Sequence, residues 1–186
     1  MQRILIAIVV MAGCAVHNNW EPHTSKNLSL PSVRSQYVLE LDRAGSYCTD
    51  GKNIYRAGMP VDAFAKTFGT PDAVIDRYGV LRLTYENDGV SADVGDNVVQ
   101  NLGFYLVPSD LRGLGDSNYA KCDVQLSSGI SAGDSEATLV AKLGEPSRVN
   151  DMTKIDGRVI LSYDSGYHVS FVFDNDKLTL VVVGHP

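Results

Sequence analysis

Two stretches of this chain have the same layout, and no other feature of the sequence constrains the fold as strongly. They read GMPVDAFAKTFGTP at 58–71 and GDSEATLVAKLGEP at 133–146. In each, apolar residues spaced i, i+1 and i+4 mark one stripe of a helix. A glycine then suits the left-handed position after the last turn, and a proline two residues later prevents continuation. Each stretch therefore predicts a short amphipathic helix with a fixed end.

The segments that follow each predicted helix have the composition of antiparallel strands. They read VLRLTYE, a weaker VSADV and VVQNLGFYLV after the first helix, and RVILSYD, YHVSFVFD and KLTLVVV after the second. These segments are rich in β-branched and aromatic residues, and turn residues separate most of them. The sequence thus predicts an α+β fold of two repeats, each a short helix followed by antiparallel strands, in a sheet with the helices on one face.

We place the first repeat at 32–118 and the second at 119–186, on a period of about 75 residues. One repeat has a single apolar sheet face and little helix to cover it, so two side by side bury more surface. Chance similarity between two short helices is the alternative.

The N-terminal sequence MQRILIAIVVMAGC is typical of an export signal. Its apolar run, Ile4–Met11, is much shorter than the roughly 20 residues that span a bilayer. The small residues before Cys14 resemble the bacterial lipobox, which implies that Cys14 carries the lipid. Residues 1–13 are then a signal peptide and 14–31 a flexible tether, on the periplasmic side of a bacterial envelope and at its outer membrane. An ordinary signal peptide with a nearby cysteine is the alternative.

The charge of the chain argues against two classes of partner. The formal net charge is −6, and lysine and arginine form no cluster. An acidic chain of this kind is a poor match for nucleic acid and for electrostatic adhesion to anionic lipid. The expected partner is a protein in the periplasm, and the expected contact with the membrane is the lipid on Cys14.

Two further cysteines, Cys48 and Cys122, lie in the predicted folded part. Export would place them in an oxidising compartment, where such a pair usually bonds. We therefore expect a Cys48–Cys122 disulfide, with free thiols as the alternative. A metal site is not expected, because neither cysteine has a histidine or a third cysteine at ligand spacing.

No constellation of residues in the sequence indicates catalysis. The segment GDSE at 133–136 superficially resembles the Gly-Asp-Ser-Leu start of a serine hydrolase family, which has Asp-x-x-His near its C-terminus. Here His185 has Val182 three residues before it, so the orienting carboxylate is missing. The four histidines do not cluster, and the glycines form no phosphate-binding loop. The sequence predicts no enzyme, cofactor or metal.

Alternation along the predicted strands suggests a binding surface. Successive side chains point to opposite faces, and the bulkier set should pack under the helices. The other set is predicted to face outward and bind the partner: Arg82, Thr84, Glu86, Arg158, Ser162, His168 and Ser170. The alternatives are that these residues only meet water, or that the loops or the tether bind.

The order of glycine, short helix, Gly-x-Pro and strands resembles the SmpA/OmlA lipoproteins of the outer-membrane assembly machinery. The tandem form resembles β-lactamase inhibitory protein, across about residues 48–184. The resemblance implies a continuous sheet whose open face binds proteins. It suggests an inhibitor or immunity protein for a periplasmic enzyme or toxin, and the alternative is a structural accessory of an outer-membrane assembly complex.

The lipid prediction is tested by Cys14→Ser. Because a thioether-linked lipid needs the sulfur, the variant should stay unprocessed or leave the membrane fraction, while the parent chain partitions with membranes. Fractionation followed by intact mass measurement checks this. A serine variant that matures and stays with membranes would contradict the assignment of Cys14.

Overall fold

A computed structural model describes residues 37–110 and 118–184, without the side chains of Arg77 and Asp110. Within these ranges the fold is α+β, with three short helices and fourteen strands paired mostly antiparallel. This confirms the predicted α+β class. The predicted signal peptide, Cys14 and the tether lie outside the described residues.

Eight strands form the main sheet, in the order β11-β12-β13-β14-β7-β6-β5-β4. All neighbours in this sheet pair antiparallel. The strands are β4 Ala73–Arg77, β5 Val80–Tyr85, β6 Val90–Gly95, β7 Val98–Tyr105, β11 Arg148–Met152, β12 Arg158–Tyr163, β13 Val169–Asp174 and β14 Lys177–Gly184. The first four and the last four are each a meander in chain order, and β7 and β14 join them at the centre.

Two smaller sheets use the remaining strands. The first has the order β10-β1-β2-β3, with β1 parallel to β10 and antiparallel to β2. The second pairs β8 with β9. Their bounds are β1 Tyr37–Glu40, β2 Tyr47–Thr49, β3 Ile54–Tyr55, β8 Ser109–Asp110, β9 Asn118–Tyr119 and β10 Val124–Leu126.

Both predicted helices are present: α1 spans Val61–Phe68 and α2 spans Glu136–Leu143. The hydroxyl of Ser135 accepts the N–H of Thr138 and caps α2, whereas Pro60 precedes α1 without a side-chain cap. A third helix of one turn, α3 at Thr153–Asp156, follows β11 and was not predicted.

The prediction of left-handed helix ends was half right. Gly69 and Gly144 both have positive φ, 105° and 85°, but their ψ angles are −168° and −170°. This is extended backbone that is open essentially to glycine alone, not the left-handed helical region. Each glycine still donates its N–H to the last turn of its helix, to Ala65 O and Val140 O.

The two halves, α1 with β4–β7 and α2 with β11–β14, make corresponding hydrogen bonds. The Tyr85 hydroxyl donates to Gly69 O at 3.3 Å, and the Tyr163 hydroxyl donates to Gly144 O at 3.0 Å. The N–H of Gly58 donates to Val99 O at 2.7 Å, just as that of Gly133 donates to Leu178 O at 2.9 Å. In both halves, the same contacts attach the helix to its meander.

Both helices lie on one face of the main sheet, which we call the helix face. Cross-strand partners point to the same side of a sheet, so the pairing register identifies the members of each face. Two rows cross six strands on this face, and every member is buried: Leu83, Ala92, Leu102, Val183, Val169 and Tyr163 in one, and Tyr85, Val90, Phe104, Val181, Phe171 and Leu161 in the other. The bulky set predicted to pack under the helices does so.

The chain makes a close backbone approach at Gly89, between β5 and β6. Ala120 donates its N–H to Glu86 O, and Tyr105 donates its N–H to Gly89 O. Gly89 has φ +66°, and a Cβ there would overlap Ala120 O and lie 2.5 Å from Cys122 N. Only glycine lets the connection from β9 to β10 pass at this distance.

Replacing Gly89 with alanine tests this packing. Gly89→Ala should lower the free energy of unfolding, because overpacking typically costs about 1–3 kcal/mol on top of the strain of a positive φ. Gly79→Ala is the matched control: Gly79 has φ +91° with nothing within 4 Å of its Cβ position, so it carries strain alone. Denaturant unfolding of both variants measures the difference, and equal losses would show that the close approach is not tight.

Candidate protein-binding face

The face of the main sheet opposite the helices, the open face, carries small and polar side chains along its middle. Along each strand, one residue lies between the members of the two buried rows and points to the opposite face, and these residues form a row of cross-strand partners. Its members are Thr84, Ser91, Gly103, Val182, Ser170 and Ser162. Because these side chains are short, the larger side chains two residues away along the same strands extend further from the sheet.

The predicted binding residues are distributed unevenly over this face. Arg82, Thr84, Ser162 and Ser170 lie on it by register, but Thr84 and Ser162 are buried, so the prediction that these two face solvent is wrong. The Thr84 hydroxyl donates to Ala73 O at 3.3 Å, and Ser162 Oγ lies 2.9 Å from Ser170 Oγ. Both hydroxyls therefore have hydrogen-bond partners within the sheet.

The other three predicted residues lie at strand ends. Glu86 follows β5, and its backbone N–H donates to the Asp72 carboxylate. His168 precedes β13 with φ 49° and accepts the N–H of Gly184 through its backbone carbonyl. Arg158 opens β12, opposite Asp174 on β13. Of the predicted set, the two arginines are the large charged groups near the face.

Arg82 is held in a bidentate ion pair on the open face. Its Nε donates to Asp93 Oδ1 at 2.7 Å and its Nη2 to Asp93 Oδ2 at 3.0 Å, with both side chains about one-fifth exposed. These bonds raise the pKa of the Arg82 guanidinium, while burial opposes the rise. A forked pair fixes the plane of the guanidinium.

Arg158 is held in a similar way by a residue close in sequence. Its Nε donates to Asp156 Oδ2 at 2.9 Å, its Nη2 contacts the same oxygen, and its backbone N–H donates to Asp156 Oδ1. The Asp156 bond raises the pKa of Arg158, and Asp174 adds to the rise. Both predicted anchor arginines are therefore preoriented by carboxylates of the same chain.

A stacked pair of tyrosines lies near the arginines and was missed in the sequence. The rings of Tyr105 and Tyr119 are parallel within 8°, with centroids 3.9 Å apart. Both hydroxyls interact electrostatically with the Arg82 guanidinium, and that of Tyr105 also interacts with Arg158. Alternation along β7 assigns Tyr105 to the open face, because its neighbour Phe104 is on the helix face. Tyr119 carried no such signal, because it belongs to a two-residue strand.

Corresponding positions of the two halves differ in chemistry on the open face. The first half has the polar row Arg82, Asp93 and Asn101. The positions that correspond in the second half form an aliphatic row of Ile160, Val172 and Leu180, next to Tyr105. The face thus presents a charged side and an apolar side, separated by the row of small residues.

Cys48 and Cys122 are both buried and both free thiols. The predicted disulfide is not formed, and β1 lies between β2, which contains Cys48, and β10, which Cys122 precedes by two residues. Burial raises the pKa of Cys48, and the nearby Cys122 raises it further. Burial also raises the pKa of Cys122, to about 12, with help from Asp88 and Asp123.

The remaining polar candidates have structural partners. Ser135 of the GDSE segment caps α2, and Asp93 accepts Arg82. Within residues 37–110 and 118–184, no group of histidine, cysteine and carboxylate side chains could hold a metal ion. The helices of these ranges include none long and apolar enough to cross a membrane.

Comparisons with known proteins leave the family of this chain open. No protein-family model matches it, and no curated protein matches it. Among solved structures, it is similar to a DUF4309 family protein (YjgB) from Bacillus subtilis subsp. subtilis str. 168, at 15% identity and a TM-score of 0.45. The match covers 73% of this chain and 84% of that one. A likeness at this level transfers neither fold nor function.

The state of the cysteines predicts their reactivity. Alkylating reagents attack the thiolate, so buried thiols of raised pKa should stay unlabelled in the folded protein in mildly alkaline buffer. Unfolding in denaturant without reductant should then give two labels from Cys48 and Cys122, read by peptide mass spectrometry. Labelling that needs prior reduction would instead reveal the disulfide expected from the sequence.

Proposed function

We propose that this chain is a lipid-anchored protein-binding module of the bacterial cell envelope that inhibits, or gives immunity to, a periplasmic enzyme or toxin. The observation that carries the proposal is the arrangement on the open face. Arg82 and Arg158 are fixed by Asp93 and Asp156, and Tyr105 interacts with both guanidinium groups. Arginine is enriched among residues that dominate binding energy at protein interfaces, whereas Tyr105 is only 3% exposed and acts through the two arginines.

Preorientation is the physical reason that such a face suits an inhibitor. Binding costs free energy for every flexible side chain that must be ordered. Here the two arginines are already held by ion pairs with Asp93 and Asp156. A partner would therefore meet a surface whose large side chains lose little further freedom.

The proposal includes the finer fold, two repeats of the kind found in β-lactamase inhibitory protein. The corresponding hydrogen bonds of Tyr85 and Tyr163 and of Gly58 and Gly133 support it. So does the central position of β7 and β14, since each closes the meander of its own half. Two repeats that contact different parts of one partner are expected to differ in the chemistry of their open faces, and these two halves do differ in this way.

A second candidate is a structural accessory of an outer-membrane assembly complex. The outer strands of the main sheet, β4 and β11, favour it, because Val74 and Val149 are 52% and 57% exposed there. Open edges of this kind can receive a strand from a neighbouring protein. Here binding would depend on the edges and not on the open face.

Removing both arginines tests the first proposal. Arg82→Ala combined with Arg158→Ala should weaken binding of the co-purifying periplasmic partner by at least about 2 kcal/mol if these residues are anchors. The matched control is Arg56→Ala with Lys66→Ala, which removes the same charge from two exposed positions away from the open face. Titration calorimetry measures the affinities, and circular dichroism checks that each variant is folded.

Two outcomes would reject the open face as the binding surface. One is unchanged affinity in the folded double variant. The other is capture of a large membrane complex in place of a soluble partner, with binding lost in Val149→Lys and retained in the arginine variant. That second outcome would favour the structural accessory.

A further inference from the structure

Strand β10 lies at one edge of the four-stranded sheet β10-β1-β2-β3. It pairs with β1 on one side, and no other strand of the described residues pairs with its outer side. A strand in this position presents N–H and C=O groups that another chain can use.

The hydrogen bonds to β1 identify the residues whose backbone groups point outward. Asp123 O accepts the N–H of Tyr37 at 3.0 Å, and Ser127 donates its N–H to Leu39 O at 3.0 Å. Successive residues of a strand turn their N–H and C=O groups toward opposite neighbours. Val124, one residue after Asp123, therefore turns both of its groups away from β1.

Hydrogen bonds already close the two ends of the outer side. Cys122 donates its N–H to Tyr105 O at 2.7 Å, and Leu126 O accepts the N–H of Gly129 at 3.1 Å. Between these ends, no hydrogen bond of residues 37–110 and 118–184 uses the N–H or C=O of Val124 or the N–H of Leu126. The open stretch therefore has room for a segment of about three residues in extended conformation.

This stretch lies along a groove of about 440 Å³. Four of the side chains that line the groove are at most 3% exposed: Leu106, Cys122, Leu126 and Ile130. Lys121 and Asp123 also line it but are exposed, and neither forms an ion pair with a described residue. The groove thus combines a buried apolar lining, two unpaired charges and an open strand edge.

We propose that this groove binds a short extended segment of another protein, which adds to β10 as a further strand. In strand addition, main-chain hydrogen bonds supply affinity and alternate side chains supply specificity. The residue opposite Val124 points the same way as Val124, which packs against the core, so an apolar side chain fits there. A neighbouring residue lies level with Asp123, where charge complementarity favours a basic side chain.

The size of the groove favours a single segment over a second copy of this chain. A second copy would bring the edge of a folded sheet together with the elements that cover it, whereas this volume holds only a few residues. The groove belongs to the four-stranded sheet and its flanking loops and not to the open face. It is therefore a binding site beyond the one in the proposed function.

Nuclear magnetic resonance on the full chain tests the site. The probe is a short acetylated and amidated peptide of alternating polar and apolar residues, with a central valine followed by a lysine. Titration should shift the amide signals of Val124 and Leu126 and slow their exchange with solvent, because both N–H groups become hydrogen-bonded.

Two variants show whether the outward groups bind the peptide. Val124→Pro should weaken binding by about tenfold, at the upper end for one lost hydrogen bond. The fold should be kept, because proline is tolerated on an edge strand where its missing N–H faces outward. Gln125→Ala is the matched control and should bind like the parent chain, since it leaves the groups of Val124 and Leu126 in place.

A charge exchange tests the preference for a basic side chain. Asp123→Lys should weaken binding of the lysine peptide and strengthen binding of the same peptide with glutamate in place of lysine. The same titrations measure both affinities, and an unchanged preference would contradict the predicted pairing with Asp123.

Three results would overturn the site itself. The first is the absence of any shift at Leu126 with the peptide at millimolar concentration. The second is equal binding by the parent chain and the folded Val124→Pro variant. The third is a set of shifts confined to β4 or β11, the outer strands of the main sheet. None of these measurements uses the periplasmic partner, so their failure leaves the proposed function untouched.

Discussion

The antiparallel pairing of β7 with β14 is the contact on which the rest of the structure depends. Five residue pairs, from Leu180↔Tyr105 to Gly184↔Asn101, join the two four-stranded meanders into one sheet. Without it, each half would expose an apolar strand at an open edge, which favours aggregation. With it, Phe104 and Val181 become the centre of a buried row that runs under both helices.

The same pairing sets the character of the two faces. Alternation places the large apolar residues of both halves on the helix face, where they form one buried cluster with residues of the two longer helices and of the four-stranded sheet, such as Phe64, Leu139 and Leu39. The small central row is left on the open face, with Arg82 and Asp93 on one side and aliphatic residues on the other. Because the sheet is continuous, the open faces of the two halves form one surface with a charged side and an apolar side. The proposed binding role rests on this surface.

Strong local patterns explain which parts of the fold could be predicted. The helices end before Gly69 and Gly144 as expected, and the alternation of strands such as RVILSY correctly identifies the buried residues. The outer strands β4 and β11 were missed because none of their described side chains is buried and their sequences, AVIDR and RVNDM, do not alternate between apolar and polar residues. The four-stranded sheet β10-β1-β2-β3 was also missed, because its strands are two to four residues long and β1 pairs with the distant β10. Periodicity cannot report such long-range pairs.

The sequence by itself determined the two longer helices, six of the eight strands of the main sheet and the inward and outward sides of those strands, because each follows from spacing within a few residues. Only the tertiary structure decided what the outward residues contact. It buried Thr84 and Ser162 against neighbouring strands, joined Arg82 to Asp93 and stacked Tyr119 on Tyr105. It also placed β1 between β2 and the distant β10. These contacts join residues from separate strands, and sheet register, which no local pattern encodes, brings them together.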